Sequence, residues 1–411
     1  MLATNTTFRR AFAIPGLSGP AATAGVTATL IYLFGPVPMY LATASVFSTS
    51  SQLTGSFFVV FLTAGVTSIA LSMKYRQPIG TGWAGAGLIY MAAVSANYTH
   101  AELAGATLVT ALITIGLAVS GLVERLAKAI PVPVVLAVVA GSSLHFCTQG
   151  VSALKTEPWA VGALLAVFFA ARLRPNRYVP PLALAVGVGV LVLGAQGSFA
   201  PSEMKMGAPT MELVTPAFSV AALTGLTLPL VLLTVGLQSM QGFAVIRGAG
   251  YEPPVRTTTG VLGLMGIAHA FVGAPPAGMQ TTPLMVMVAD DAGPKESRWT
   301  AVMVASVGCL VIAGGAVTVA SFVAALPVAF VAAALGIILL TTVFDSLRGA
   351  LAGPMAFPAF IAFVVSASDF TVGGIGAPLW GLAAGAAGAW QVAGGGRVSS
   401  LEAVRAIRRA A

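Results

Sequence analysis

The chain has 411 residues, of which 57% are hydrophobic and only 8% are charged, and its formal net charge is +8. A soluble domain carries about 25% charged residues, so a chain of this composition cannot cover a water-facing surface. Lipid offers no partners for backbone N–H and C=O groups, and helices satisfy these groups internally. The composition therefore excludes a soluble protein and predicts an all-α polytopic membrane protein.

Apolar spans separated by polar breaks recur along the whole chain and number 14. The third and the tenth are half-length, since a helix needs about 20 residues to cross the hydrocarbon core. In chain order the spans cover residues 17–42, 55–73, 83–93, 101–123, 130–147, 158–171, 179–196, 218–246, 257–273, 281–289, 299–322, 326–343, 355–368 and 371–393.

The basic residues predict the orientation of these spans. If the N-terminus is cytoplasmic, 18 of the 20 Lys and Arg residues fall in cytoplasmic segments, and only Lys155 and Lys205 fall outside. Cytoplasmic loops of membrane proteins carry such an excess of Lys and Arg. We therefore expect both termini on the cytoplasmic side of a bacterial-type inner membrane. The positive net charge is then explained by the basic cytoplasmic loops, and nucleic-acid binding is not expected.

An internal repeat accompanies the two half-length spans. The segment Ala129–Ala137 (AIPVPVVLA) is similar to Ala325–Ala333 (ALPVAFVAA), and each opens the fifth span of its half. Seven spans per half is an odd number, so the second copy must insert upside down relative to the first. The sequence thus predicts 14 transmembrane segments in two inverted repeats of seven, with the third and tenth segments as short half-helices.

The two half-length spans form the predicted binding site. The tenth is preceded by Ala274-Pro275-Pro276-Ala277-Gly278, which cannot be regular helix because proline lacks a donor and clashes with the preceding turn. Interrupted segments at corresponding positions of two halves point to a transporter's site. The free N–H groups and the positive end of a helix favour an anion. We predict an anion between the two helix N-termini, where Gly85 and Gly278 let the backbone approach it.

Polar and aromatic side chains near these N-termini are candidate ligands, and each has a structural alternative. Amides and hydroxyls deep in an apolar span must bond either a neighbour or a ligand. Threonines that begin a helix also serve as N-caps, and large aromatic rings also serve in packing. The candidate substrate-binding residues are Tyr32, Trp83, Gly85, Gln238, Ser239, Gln241, Gly278, Gln280, Thr281 and Thr282.

Sequence signals for catalysis or for a cofactor are missing. No Walker A or GxSxG motif occurs, and His100, His145 and His269 lack the spacing of metal ligands. We expect His145 and His269 to be hydrogen-bonded structural residues. The sequence therefore predicts no cofactor and no metal site, and we do not expect an enzyme.

Three segments resemble the benzoate/proton symporter family. They are Lys74-Tyr75-Arg76-Gln77-Pro78, Ala274-Pro275 and Pro229–Tyr251, the last most specifically through Gln238 and Gly242–Tyr251. The family's fold is an inverted repeat of seven plus seven segments, shared with nucleobase/ascorbate and sulfate-type anion transporters. The resemblance implies a core domain that holds the site, a gate domain, and transport by relative movement of the two.

Applied to this chain, the resemblance implies two segments of core domain and two of gate domain, and the polar and basic stretches of the sequence add a linker and a tail. The core domain comprises residues 1–129 and 218–322, the gate domain comprises residues 130–197 and 323–396, an extracytoplasmic linker covers 198–217, and a cytoplasmic tail covers 397–411.

The chain departs from the family's pattern at polar positions of the site. Met279 and Thr282 align with a His and an Asn of the family, and Ser239 aligns with an Asn. The first half-helix keeps Trp83 but lacks the Ser-Thr-Pro that follows the Trp in the family. We therefore expect weak or absent proton coupling.

The function predicted from these observations is secondary transport of a small organic anion, an aromatic carboxylate such as benzoate. A nucleobase-like or inorganic-anion carrier is the main alternative, and an anion channel or a membrane enzyme is a weaker one. The expected partners are the anionic substrate and the lipid bilayer, and the sequence leaves a homodimer open.

Overall fold

The computed structural model describes residues 17–123, 131–172, 186, 189, 206–368, 371–372 and 375–392. Of the predicted regions, the tail at 397–411 lies outside the described residues. The linker up to residue 205 and the seventh span except for residues 186 and 189 also lie outside them.

Helices make up most of the described residues, and four short strands interrupt them. The helices are α1 Gly19–Phe34, α2 Pro36–Ala44, α3 Ser50–Tyr75, α4 Gly85–Val94, α5 His100–Ser120, α6 Val132–Ser152, α7 Pro158–Arg172, α8 Val220–Gly248, α9 Val255–Ala270, α10 Thr281–Val288, α11 Trp299–Gly314, α12 Ala316–Ala324, α13 Val328–Ala350, α14 Ala356–Ser366 and α15 at 377–392. The strands are β1 Thr81–Trp83, β2 Ala277–Met279, β3 Thr371–Val372 and β4 Ile375–Gly376.

Several of these helices can cross a membrane. Within the described residues, six helical segments are long and apolar enough to do so by length and composition. This confirms the prediction of a helical, multi-pass membrane protein, while the count of 14 segments stays a prediction. The six segments are Gly19–Ala44, Ser50–Tyr75, His100–Ser120, Val132–Lys155, Val220–Gly248 and Lys295–Gly314.

The first of these segments corresponds to the predicted span at 17–42, and its α-helix is interrupted at Gly35. The α-helix stops at Phe34 and restarts at Pro36, and Gly35 lies between them outside the helical region (φ −120°, ψ −82°). Proline favours the first position of a helix because its missing N–H is not needed there. The Gly35-Pro36 pair therefore ends α1 and begins α2.

The helices form two groups that contact each other. In the first, called the ladder bundle, α11 packs against α1 and α3, α5 packs along α9, and the short helices α4 and α10 adjoin β1 and β2. In the second, called the flanking bundle, α6 packs against α13 and α14, and α7 packs against α13. A Cβ added to Gly336 would lie 2.8 Å from the Cα of Gly150, so the backbones of α13 and α6 are in direct contact. The two bundles meet where α4 packs against α6 and α2 packs against α13.

Candidate functional site

The two unwound segments join in one antiparallel ladder at the centre of the ladder bundle. The backbone N–H of Ala84 donates to the carbonyl of Pro276 at 2.8 Å. The N–H of Gln280 donates to the carbonyl of Gly80 at 3.1 Å and extends the ladder at its other end. Because α4 and α10 each begin within two residues of their strand, both helix N-termini lie at this ladder. The register pairs Thr81 with Met279, Gly82 with Gly278, and Trp83 with Ala277.

Hydroxyl side chains of α3 hold the segment that leads into β1. Ser72 Oγ accepts from the N–H of Ile79 at 3.1 Å, and Ser68 Oγ accepts from the N–H of Thr81 at 2.8 Å. The hydroxyls of Thr67 and Thr81 lie 2.6 Å apart. Backbone groups inside a membrane need internal partners. These hydroxyls supply them where no helix does.

A histidine of α9 holds the segment that leads into β2. His269 is completely buried, with its Nδ1 2.9 Å from the carbonyl of Pro275 and its Nε2 2.9 Å from the hydroxyl of Thr63. A carbonyl only accepts, so Nδ1 carries the proton, and in the neutral ring Nε2 accepts from Thr63. His269 therefore ties α3, α9 and the start of the β2 segment together.

One amide bridges the two strands. The Nε2 group of Gln238 donates to the carbonyls of Trp83 at 2.9 Å and of Met279 at 3.0 Å, which end β1 and β2. Its Oε1 lies 3.4 Å from the N–H of Ala86 in the first turn of α4. Both N–H groups of the amide are thus used within the protein. Gln238 thus bonds neighbouring backbone groups, which is the structural role that we had set against ligand binding.

A second amide crosses the ladder from the α10 side. Gln280 is buried, and its Nε2 donates to the carbonyl of Trp83 at 3.2 Å. A Cβ added to Gly82 would collide with the amide of Gln280. Glycine at this position therefore makes room for the side chain that links the N-terminus of α10 to β1.

The aromatic candidates pack inside the ladder bundle. Trp83 is 1% exposed, and its ring centroid lies 5.4 Å from that of Tyr40 and 5.0 Å from that of Phe61. Tyr32 is also buried, with its ring 6.4 Å from that of Phe61. Both rings belong to one aromatic cluster behind β1.

The remaining candidates divide by exposure. Gly85, Gln238 and Thr281 are partly exposed beside the ladder, and Thr282 is exposed on the first turn of α10. Ser239 and Gly278 are buried.

Gln241 is exposed, whereas Gln238 turns toward the strands. A π-helical stretch, Leu232–Ser239, precedes Gln241 in α8. Its wider turn changes the face that the following residues occupy relative to a regular helix.

Hydroxyl residues that hold the site were not among the candidates. Thr63 and Thr67 lie four residues apart in the apolar sequence of α3, and Ser68 and Ser72 have the same spacing. Residues at these spacings share a helix face. Small hydroxyl residues in membrane helices commonly bond across to a neighbour. This spacing is the sequence feature that could have identified these residues as partners of a neighbouring segment.

Solved structures with the same fold include two membrane transporters. The transmembrane domain of a cyanobacterium bicarbonate transporter, BicA, superposes with a TM-score of 0.60 at 16% identity, over 89% of this chain and 97% of that chain. The murine Slc26a9 anion transporter in the inward-facing state superposes with a TM-score of 0.61 at 14% identity, over 94% of this chain and 70% of that chain. The protein therefore has the helical, multi-pass fold of these transporters.

Sequence comparison gives the family. Residues 17–390 match the BenE family, benzoate membrane transport protein. Inner membrane protein YdcO of Escherichia coli is 30% identical over 381 residues, which is 92% of this chain and 96% of that protein. A benzoate membrane transport protein of Acinetobacter baylyi is 24% identical over 370 residues, 89% of this chain and 93% of that protein. The chain belongs to the benzoate membrane transport protein family and is a membrane transport protein.

Proposed function

We propose that the protein carries a small organic anion, an aromatic carboxylate such as benzoate, which binds between the N-termini of α4 and α10. The meeting of these two N-termini at one ladder carries the proposal. Within the described residues, neither N-cap, Ala84 or Gln280, provides a side-chain cap. By contrast, α3 and α5 both begin with a complete capping box.

The electrostatics of this arrangement favour an anion. A helix N-terminus carries a partial positive charge of roughly half an elementary charge. An anion placed between two of them gains from both, and the surrounding protein weakens the screening. The backbone around Gly85 and Ala86, partly exposed, and the exposed first turn of α10 at Thr282 provide the surface for this contact.

An apolar side chain beside the N-terminus of α4 suits the ring of an aromatic acid. A Cβ added to Gly85 would lie 3.3 Å from the Cε of Met39, so this methionine borders the N-terminus of α4. Thioether side chains make favourable contacts with aromatic rings and adapt to their shape. The Acinetobacter baylyi relative is a benzoate membrane transport protein, which supports benzoate as the substrate to test first.

A small inorganic anion such as bicarbonate is the second candidate. Trp83 and Tyr32 are buried, so neither ring is available for stacking on a ligand in this conformation. A site built mainly from backbone N–H groups would suit a small anion as well as a carboxylate. The shared fold with the bicarbonate transporter BicA is consistent with this alternative.

For the transport cycle we propose alternating access. In this proposal the ladder bundle is the core domain that carries the anion, and the flanking bundle is the gate domain against which it moves. The proposal keeps the predicted 14 segments in two inverted repeats, both termini in the cytoplasm, an inner-membrane location and a homodimer as the assembly to test.

Ligand-dependent thermal stabilisation of the purified protein tests the substrate class. Benzoate, bicarbonate and uracil are titrated separately, because a ligand that binds the folded state stabilises it by mass action. We expect saturable stabilisation by benzoate that Gly278→Val shifts to much higher benzoate concentrations and Gly236→Ala leaves unchanged, since a Cβ at Gly236 meets nothing within 4 Å. Stabilisation by bicarbonate alone would select the second candidate. Equal stabilisation of the Gly278→Val variant would contradict a site at the ladder.

A further inference from the structure

A cavity of about 550 Å³ lies between the two bundles, away from the ladder. Its volume is in the range of small-molecule sites in proteins. One side of its wall comes from the end of α2 and the segment Ala92–Asn97 at the end of α4. The other side comes from α6, α13 and the adjoining ends of α14 and α15. The cavity therefore borders both bundles.

The cavity and the ladder lie at opposite ends of the same short helix. The helix α4 begins at the ladder with Gly85, and its last turn is part of the cavity wall. Its 10 residues span about 15 Å at 1.5 Å per residue. An apolar cluster fills the bundle interface beside α4, with Ile89 and Ala92 packed among Phe146, Leu335 and Leu339. This cluster separates the cavity from the ladder.

The chemistry of the wall suits an aromatic carboxylate. His145 and Gln149, one turn apart on α6, are exposed to the cavity, and their Nε2 atoms lie 2.8 Å apart. The amide nitrogen must be the donor in this pair, so His145 Nε2 accepts and its Nδ1–H remains to donate. Phe146, Val331 and Leu335 add an apolar side to the same wall.

Two further observations are compatible with an anionic guest. Among the described residues that line the cavity, none is Asp or Glu, so none of these side chains repels a carboxylate. Ser366 also lines the cavity and is only 4% exposed, yet its hydroxyl has no hydrogen-bond partner among the described residues. A buried hydroxyl without a partner is costly, and a ligand oxygen would satisfy it.

We propose that this cavity is a second, weaker site for the transported aromatic carboxylate. The carboxylate accepts hydrogen bonds from His145 and Ser366, and the ring lies against Phe146 and Leu335. Movement of the flanking bundle along α4 then opens the apolar cluster and passes the anion to the ladder. This proposal depends on the proposed function, because it assigns a second position to the same substrate.

Equilibrium binding of radiolabelled benzoate to the purified full-length protein tests this site. We expect a two-component isotherm for the unmodified protein. In the double variant His145→Ala, Gln149→Ala the weaker component should lose at least tenfold in affinity, as expected for a lost bond to a charged group. The tighter component should stay within about twofold. The control Thr148→Ala, an exposed residue of the same helix outside the cavity wall, should keep both components.

A complementary variant separates this inference from the proposed function. Gly278→Val should remove the tighter component and leave the weaker one. A single component that Gly278→Val abolishes and the double variant leaves unchanged would overturn the second site alone. Absence of benzoate binding by the unmodified protein would overturn the proposed substrate, and the second site with it. Unfolding of the double variant is checked by its melting temperature, and Ser366→Ala then provides an independent test with the same expected loss.

Discussion

The amide nitrogen of Gln238 lies 2.9 Å from the carbonyl oxygen of Trp83, and this contact joins α8 to the strand that precedes α4. The same nitrogen reaches the carbonyl of Met279 at 3.0 Å, so one side chain holds the ends of both strands. The positions of the two helix N-termini relative to each other thus depend on an uncharged amide. An amide donor suits this position because it adds no negative charge beside the proposed anion site.

Replacing Gln238 should therefore affect both stability and binding. We expect Gln238→Ala to destabilise the protein by about 1–3 kcal/mol, because the carbonyl of Met279 loses a donor. Gln238→Glu should abolish anion binding at the ladder, since it removes the donors and adds a negative charge beside the first turn of α4. Melting temperature and benzoate isotherms measure the two effects.

The control for Gln238 is the neighbouring amide on the same helix. Gln241→Ala and Gln241→Glu change an exposed side chain three residues away, and we expect affinities within about twofold of the unmodified protein. Equal affinities for the Gln238→Ala and Gln238→Glu variants would argue that the amide does not lie near the anion.

Backbone contact within the ladder gives a second prediction. A Cβ added to Gly278 would lie 3.3 Å from both the Cα of Ala84 and the Nε2 of Gln238. These contacts are tight for Ala, and Val adds two methyl groups that must displace the backbone of Ala84. We expect intermediate uptake by Gly278→Ala and no uptake by Gly278→Val in reconstituted vesicles. Gly236→Ala should transport normally, and normal uptake by Gly278→Val would exclude close strand packing at this position.

The sequence was most informative about the half-helices. The predicted short spans at 83–93 and 281–289 correspond to α4, Gly85–Val94, and α10, Thr281–Val288, within two residues. Prolines and glycines determine where a helix cannot form, and a local pattern is enough to find them.

The pairing of β1 with β2 could not be predicted in the same way. Segments of three residues carry no strand pattern, and the two partners lie nearly 200 residues apart. The orientation of Gln241 was equally hidden, because the sequence gives no signal for the π-helical stretch that precedes it. The role of Trp83 depends on which side of β1 its ring occupies, and that is decided by packing of distant helices.

Trp83 itself provides the third prediction. If its ring stacked on the substrate, Trp83→Ala would weaken binding of an aromatic acid far more than binding of an inorganic anion. Its burial against Tyr40 and Phe61 gives the opposite expectation. Removing a fully buried large aromatic side chain costs about 3–5 kcal/mol. We therefore expect a large drop in melting temperature and a similar loss of affinity for benzoate and bicarbonate. Selective loss of benzoate binding in a stable variant would restore the stacking role.

The predicted topology leads to a fourth test. Ala208 and Asp291 are both exposed, and the predicted topology places them on opposite sides of the membrane. In a background with Cys147→Ala and Cys309→Ala, single cysteines at these two positions should react with an impermeant maleimide from opposite sides. Reaction of both cysteines from the same side would contradict the proposed arrangement of 14 segments.

The last prediction concerns proton coupling and His269. The neutral ring already uses both nitrogens, donating from Nδ1 to Pro275 and accepting at Nε2 from Thr63. Protonation would place a second N–H against the Thr63 hydroxyl, which would then have to stop donating to the ring. We therefore expect His269 to be structural and benzoate uptake into vesicles to occur without uptake of protons.

A pH-sensitive dye inside proteoliposomes tests this expectation during benzoate uptake. His269→Ala should lower the melting temperature, because the Pro275 carbonyl loses its buried donor at a cost of about 1–3 kcal/mol. The ratio of protons to benzoate should stay near zero in both proteins. Thr148→Ala, far from the ladder on α6, serves as the matched control for handling and reconstitution. A proton flux that accompanies benzoate in the unmodified protein and disappears in His269→Ala while benzoate still binds would make His269 the coupling residue. Its bond to Pro275 would then link the proton to the strand that positions α10.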